Sequence, residues 1–64
     1  MEILENGTKV RIYDVAGKVT EGTIQGNDEE NCEGDLSNLN YYVVPNGENF
    51  DNEIMVHWNS IKLT

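Results

Sequence analysis

Apolar and polar residues alternate along several short segments of this chain. In the first of them, residues 8–14, Val10 and Ile12 stand between more polar neighbours. Alternation with a period of two is typical of a strand that buries one face. Residues 8–14 are therefore predicted to form the first strand, and Gly17 is the natural residue for the turn that follows.

The second predicted strand, residues 19–25, carries a glycine in its middle. Ile24 is its best core candidate, and Gly26 and Asn27 are expected to end it. A glycine inside a strand often marks a bulge or a tight bend, which is one way in which small barrels close. Gly22 is accordingly predicted to be the site of a bulge or sharp bend.

Three further strands are predicted after a long polar loop, residues 28–40. Leu36 and Leu39 in this loop are spaced i, i+3, which allows one helical turn. Residues 41–44 form a compact apolar run that Pro45 stops, and the Asn-Gly after Pro45 strengthens the turn signal. The next strand is predicted over residues 54–58, with its even-numbered apolar residues on one face. The last covers residues 61–63.

Five short strands with glycine-marked turns predict an all-β fold. Five strands in 64 residues are too few for a sandwich of two sheets. A small closed barrel removes the exposed sheet edges and is the predicted architecture, as a single domain over residues 1–64.

Four segments carry a family resemblance. They read GTKVRI at residues 7–12, GKVTEGTI at 17–24, YYVV at 41–44 and SIKL at 60–63. Together they resemble the SH3-like barrels of the Tudor and KOW kind. The resemblance implies a five-stranded SH3-like barrel that serves as a binding module rather than an enzyme. It does not identify a ligand, because one fold hosts many functions.

The charge of the chain narrows the class of partner. Twelve acidic residues against four basic ones give a net charge of −8. Nucleic-acid affinity comes largely from Lys and Arg that neutralise phosphates, and anionic membranes repel negative proteins. We therefore expect neither direct nucleic-acid binding nor membrane association. A basic protein is the favoured partner, because opposite charge speeds encounter.

The remaining composition bears on location and chemistry. The chain has no long apolar run, residues 1–7 contain no basic residue, and the only cysteine is Cys32. These features favour a cytoplasmic protein without a secretory signal. One cysteine and one histidine, His57, cannot build a four-ligand zinc site. Acidic neighbours of Cys32 disfavour a thiolate nucleophile, so we expect neither a cofactor, nor a metal, nor enzymatic activity.

Aromatic side chains form the first candidate binding set. Tudor-like barrels use clustered aromatics as a cage for methylated Lys or Arg, because π-faces attract a cation. The alternative is that these rings fill the core of a small protein. Adjacent strand residues point to opposite faces, so one of the two neighbouring tyrosines is expected to be exposed. The candidates are Tyr13, Tyr41, Tyr42 and Phe50. Trp58 belongs to the same aromatic set, and in the alternative it fills the core together with one of the two tyrosines.

Acidic residues of the polar loop form the second candidate set. Their order does not match the calcium-binding loop pattern, which argues against a metal site. Two interpretations remain, a contact surface for a basic partner and a solvated loop that keeps the protein soluble. The candidates are Asp28, Glu29, Glu30, Glu33 and Asp35.

These observations favour a non-enzymatic, acidic protein-interaction module. Its loops, residues 28–40 and 45–53, are expected to carry specificity. One alternative is an acidic inhibitor, of a type used by phages and mobile elements, that mimics nucleic acid and blocks a basic nucleic-acid-binding protein. Another is a structural component of a larger assembly, in which an edge strand such as residues 41–44 pairs with a partner strand.

Overall fold

The computed structural model of the chain describes residues 2–64. It contains five strands: β1 (Lys9–Tyr13), β2 (Val19–Asn27), β3 (Asn40–Pro45), β4 (Ile54–His57) and β5 (Ile61–Leu63). They form one antiparallel sheet in the order β4-β3-β2-β1-β5. The predicted all-β fold of five strands is confirmed. No helix within residues 2–64 has the length and apolar character needed to cross a membrane.

Short 3₁₀ turns interrupt the connections between strands. Two lie between β2 and β3, one precedes β4, and one leads from β4 into β5; they cover Glu29–Asn31, Leu36–Asn38, Phe50–Asn52 and Trp58–Ser60. The predicted helical turn after residue 36 is therefore present as a 3₁₀ turn. Trp58 begins such a turn, so β4 ends one residue earlier than predicted.

The core lies on one face of the sheet, as the alternation predicts. In β1 the buried residues are Val10 and Ile12, and each is flanked by more exposed side chains. Residues of the β2–β3 connection complete the cluster. Its members are Val10, Ile12, Ile24, Cys32, Leu39, Tyr41, Val43 and Val56.

Gly22 is not the site of the predicted bulge. The register between β2 and β3 shifts between Ile24 and Gly26, not at Gly22, and β2 continues to Asn27. A Cβ atom on Gly22 would lie 2.7 Å from Val43 Cγ1 and 2.7 Å from the Val44 carbonyl oxygen. Glycine is required here because β3 approaches the β2 backbone too closely for a side chain.

The sheet keeps two free edges. Within the described residues β4 pairs only with β3, and β5 pairs only with β1, so hydrogen bonds do not close the predicted barrel. β3 has neighbours on both sides, which makes the prediction of residues 41–44 as an edge strand wrong. A partner strand can add to this sheet only at β4 or β5.

Candidate functional site

The two neighbouring tyrosines lie on opposite faces of β3, as predicted. Tyr41 is 2% exposed, and its hydroxyl accepts a hydrogen bond from the Leu4 N–H at 2.9 Å. Tyr41 is therefore a core residue that no partner can reach. Tyr42 is half-buried, and its ring lies over Gly26, where a Cβ atom would be 3.4 Å from Tyr42 Cδ2.

The structure does not bring the predicted aromatic set together. Tyr13 pairs with Val19 at one end of β2, and Tyr42 pairs with Gly26 near the other end. At about 3.3 Å per residue, these two tyrosines are roughly 20 Å apart. Phe50 lies in the connection to β4 and is 73% exposed. These positions do not form a cage around one cation.

Asp28 fastens the polar loop to the start of β3. Its carboxylate accepts hydrogen bonds from the Asn40 backbone N–H at 2.7 Å and from Asn40 Nδ2 at 3.0 Å. The Asp28 N–H donates in turn to the Asn40 carbonyl at 3.1 Å. These bonds from the side chain and backbone of Asn40 lower the pKa of Asp28. This candidate carboxylate is thus engaged inside the protein.

Asp35 is also engaged, as the cap of a 3₁₀ turn. Its carboxylate accepts from Ser37 Oγ at 2.6 Å and from the Ser37 N–H at 3.1 Å. Both bonds lower the pKa of Asp35, the side-chain bond most strongly. A capping carboxylate of this kind satisfies a backbone donor that the turn leaves unpaired. Asp35 therefore shapes the loop in which it lies.

The Ser37 carbonyl ties the same loop to the end of β4. It accepts from Trp58 Nε1 at 2.9 Å and lies 3.0 Å from His57 Nε2. The Asn59 N–H donates to His57 Nδ1 at 3.2 Å, which assigns the proton of the neutral ring to Nε2. Both ring nitrogens of His57 are therefore occupied by structural hydrogen bonds.

Cys32 belongs to the core. It is 8% exposed, and its thiol donates to the Asp28 carbonyl at 3.5 Å. Burial, followed by the charge of Asp28, raises the pKa of the Cys32 thiol. A raised pKa disfavours the thiolate, which is the reactive form. Neither Cys32 nor His57 is set up for nucleophilic chemistry.

The three remaining acidic candidates stay exposed. Glu29, Glu30 and Glu33 line an open depression of about 630 Å³ together with Gly34 and Leu36. Within residues 2–64, no group of three or more His, Cys, Asp or Glu side chains is arranged to hold a metal ion. The depression is an acidic surface without a visible ligand-binding geometry.

A second exposed segment, residues 48–55, follows the opposite end of β3, and sequence reasoning missed most of it. Three of its members are apolar and strongly exposed: Phe50 at 73%, Met55 at 63% and Ile54 at 42%. The other three are exposed acids of the preceding connection. We call this set the acidic–apolar edge, and it comprises Glu48, Phe50, Asp51, Glu53, Ile54 and Met55.

The sequence did contain a signal for the acidic–apolar edge. Residues 48–55 interleave three carboxylates with three large apolar side chains and contain no basic residue. The sequence singles out only Phe50, as an aromatic residue, and places Ile54 on the same strand face as Val56 and Trp58. Ile54 is 42% exposed at the start of the outermost strand, whereas Val56 on the same face of that strand is buried.

Comparison of the chain with protein-family models, with curated proteins and with solved structures finds no match. Function is therefore inferred from the arrangement of the side chains. Two exposed acidic regions are available for comparison: the depression of the β2–β3 loop and the acidic–apolar edge.

Proposed function

We propose that this chain is a non-enzymatic protein-interaction module that binds a basic protein through the acidic–apolar edge. The proposal includes an SH3-like barrel of the Tudor and KOW kind as the framework. The five-stranded antiparallel sheet supports that resemblance, as does the short Trp58–Ser60 turn that leads into the last strand. The predicted aromatic cage is not part of the proposal, because its residues lie apart.

The observation that carries the proposal is the exposure of large apolar side chains among carboxylates. Phe50 and Met55 are each more than half exposed, close to Glu48, Asp51 and Glu53 in the chain. Exposed apolar groups rimmed by polar residues mark protein-interaction sites. Aromatic residues and Met are enriched in such interfaces, and polar groups form the rim. The apolar groups supply affinity, and the carboxylates select a basic partner.

The distribution of charge supports the same partner. Residues 19–61 carry nine acidic side chains and no Lys or Arg. Three of the four basic residues lie on β1 and β5, which β2 and β3 separate from β4 in the sheet, and one of them, Lys9, lines a depression together with Glu48 and Phe50. Approach to β4 is therefore favourable for a positive protein and unfavourable for nucleic acid.

The proposed role is non-enzymatic, and the surroundings of the buried Cys32 thiol support this part of the proposal. Cys32 has a raised pKa, and both His57 nitrogens are hydrogen-bonded within the protein. An activated nucleophile needs a base within hydrogen-bond reach. A binding role fits these side chains better than a catalytic one.

The test compares matched charge variants in partner capture from the source organism's lysate. Immobilised wild-type protein is expected to retain a basic protein at low salt. Neutralising Glu48, Asp51 and Glu53 to Gln, Asn and Gln should abolish retention. The matched triple variant with Gln at 29, 30 and 33 removes the same charge from the other end of β3 and should retain the partner. Equal loss in both variants would mean that net charge alone acts, which contradicts the proposal.

In one alternative, the chain mimics nucleic acid through the same negative charge. Competition with duplex DNA distinguishes this alternative from the proposed function. If the captured protein binds DNA or RNA and duplex DNA displaces it from the chain, the chain acts as an inhibitor at a nucleic-acid site. If DNA has no effect while Phe50→Ala and Met55→Ala weaken binding, the partner uses the acidic–apolar edge as proposed. The structural-assembly alternative predicts a complex that also survives high salt.

A further inference from the structure

Alternate residues of β4 direct their backbone N–H and C=O groups toward β3, and the register shows which residues these are. Trp58 N–H donates to the Leu39 carbonyl at 3.0 Å, and the register continues with Val56 opposite Tyr41. In an antiparallel pair, directly opposed residues alternate between bonded and non-bonded pairs. Ile54 and Val56 therefore direct their N–H and C=O groups toward β3.

The intervening residues, Met55 and His57, direct their backbone groups away from β3. The pairing of β3 with β2 leads to the same assignment. The Asp28 N–H donates to the Asn40 carbonyl at 3.1 Å. Asn40 thus bonds toward β2, and its opposite residue on β4 is His57. The outer edge of β4 presents two N–H groups and two C=O groups that the sheet leaves unpaired.

The two edges of the sheet differ in how they are protected. β5 carries Lys62 at its centre, and a lysine on an edge strand is a common way to prevent edge pairing. β4 has four residues and contains neither Lys nor Pro. Its two exposed apolar residues, Ile54 and Met55, project to opposite faces of the strand. An unprotected apolar edge of this kind is a template for another strand.

We infer that an extended segment of a basic partner adds to β4 as a sixth, antiparallel strand. This inference rests on the proposed function and specifies its binding mode. The residues of β4 that lie opposite the added strand then determine which residue types the segment needs. Residues opposite Met55 and Ile54 are apolar, and the residue opposite Glu53 is Lys or Arg. Read from its N-terminus, the segment has two adjacent apolar residues followed by basic ones.

Charge selects this occupant over a second copy of the chain. Antiparallel pairing of two β4 strands brings together two chains that each carry a net charge of −8. Two chains of the same strong charge repel each other. A segment with Lys or Arg opposite Glu53 gains attraction instead, while main-chain hydrogen bonds supply affinity and the side chains supply specificity.

The experiment uses blocked peptides titrated into the full chain and observed by amide NMR. The parent probe reads threonine, threonine, valine, valine, lysine, lysine, so that its first valine faces Met55. One derivative is N-methylated at the first threonine and first valine, whose N–H groups point toward β4. The matched derivative is N-methylated at the second threonine and second valine, whose N–H groups point away. All three probes have the same charge and nearly the same size.

The expected result is that the parent and the matched derivative bind alike, while the first derivative binds about tenfold more weakly or worse. Parent binding should also slow hydrogen exchange at the Met55 and His57 amides. Met55→Pro, which removes an outward N–H and no bond to β3, should lower parent affinity to that of the first derivative. Met55→Gln keeps the N–H and should preserve the difference between the two derivatives.

Three results would overturn strand addition. If both derivatives bind like the parent, attraction is electrostatic, and the proposed function stands without this binding mode. If no probe binds although a basic protein is captured through the acidic–apolar edge, the segment is not an extended strand. If sedimentation shows a dimer that Met55→Pro dissociates, the occupant is a second copy of the chain.

Discussion

The β2–β3 loop (residues 28–39) and the β3–β4 loop (residues 46–53) lie at opposite ends of β3, and both are acidic. In the first, Cys32 and Leu39 are buried, and two carboxylates hold the backbone in place. In the second, every residue is exposed. The comparison teaches that acidic residues in this chain differ in their surroundings: two of the first loop help to build the fold, and those of the second are exposed, as the proposed binding role requires.

The largest expected effect is on the free energy of unfolding. It should differ between a buried side chain of the first loop, Leu39, and an exposed one of the second, Phe50. Leu39 is fully buried, so Leu39→Ala should cost about 2–5 kcal/mol of unfolding free energy, since it removes apolar contacts and leaves a cavity. Phe50→Ala should change it by no more than about 0.5 kcal/mol, because the ring is exposed. Urea unfolding followed by Trp58 fluorescence measures both. Similar losses would contradict the division between the loops.

The next effect concerns pH. Hydrogen bonds lower the folded-state pKa values of Asp28 and Asp35 below the ordinary value of 3.8. Each group therefore contributes stability that is present above pH 3.8 and is lost as pH falls through its lowered folded value. Thermal unfolding midpoints measured from neutral to acidic pH should fall less steeply when both residues are changed to Asn.

A matched pair controls the pH experiment. Glu29→Gln with Glu30→Gln removes two exposed carboxylates from the same loop. This pair should leave the acid-induced loss of stability close to that of wild type. If it flattens the profile as much as the Asn pair does, repulsion among the acids governs the pH response, and the loop is not fastened by its carboxylates.

The sequence predicts features of the two loops and the sheet that depend on neighbouring residues in the chain. It does not predict those that depend on residues far apart in the chain. Alternation identified Val10 and Ile12 as buried and placed one of the adjacent tyrosines outside, because side-chain direction in a strand follows from spacing alone. The bond from Asp28 to Asn40 was not predictable. Its partners are twelve positions apart, and they meet only because the loop returns to the sheet next to β2.

Gly22 and Ile54 show two other limits. Glycine in a strand signals either a bulge or a close approach of another backbone, and only the position of β3 decides between them. For Ile54, the pattern gives the inner face correctly, but burial also requires a neighbour that covers it. β4 is the outermost strand, and strand order is not encoded in the spacing of apolar residues.

A smaller effect is expected where the β2–β3 loop meets β4. Trp58→Phe removes the donor that bonds the Ser37 carbonyl at 2.9 Å and should cost about 1 kcal/mol. His57 Nε2 still bonds the same oxygen in that variant. His57→Ala added to Trp58→Phe should therefore cost more than the sum of the single changes, because both donors are then lost. Circular dichroism in urea measures this; simple additivity would show that the two bonds are independent.

The smallest effect is expected in the β3–β4 loop. Among the described residues, the one hydrogen bond between side chains of this loop runs from Asn52 Nδ2 to Glu48 Oε2 at 3.1 Å, and both residues are exposed. Solvent competes for such bonds, so Asn52→Ala should change the unfolding free energy by no more than about 0.5 kcal/mol. Urea titration of this variant measures the change against wild type. A loss as large as that of Leu39→Ala would mean that the loop holds the fold together, which contradicts its assignment to binding. A near-zero loss would mean that the carboxylates of this loop and Phe50 can serve the proposed binding role without a cost to the sheet.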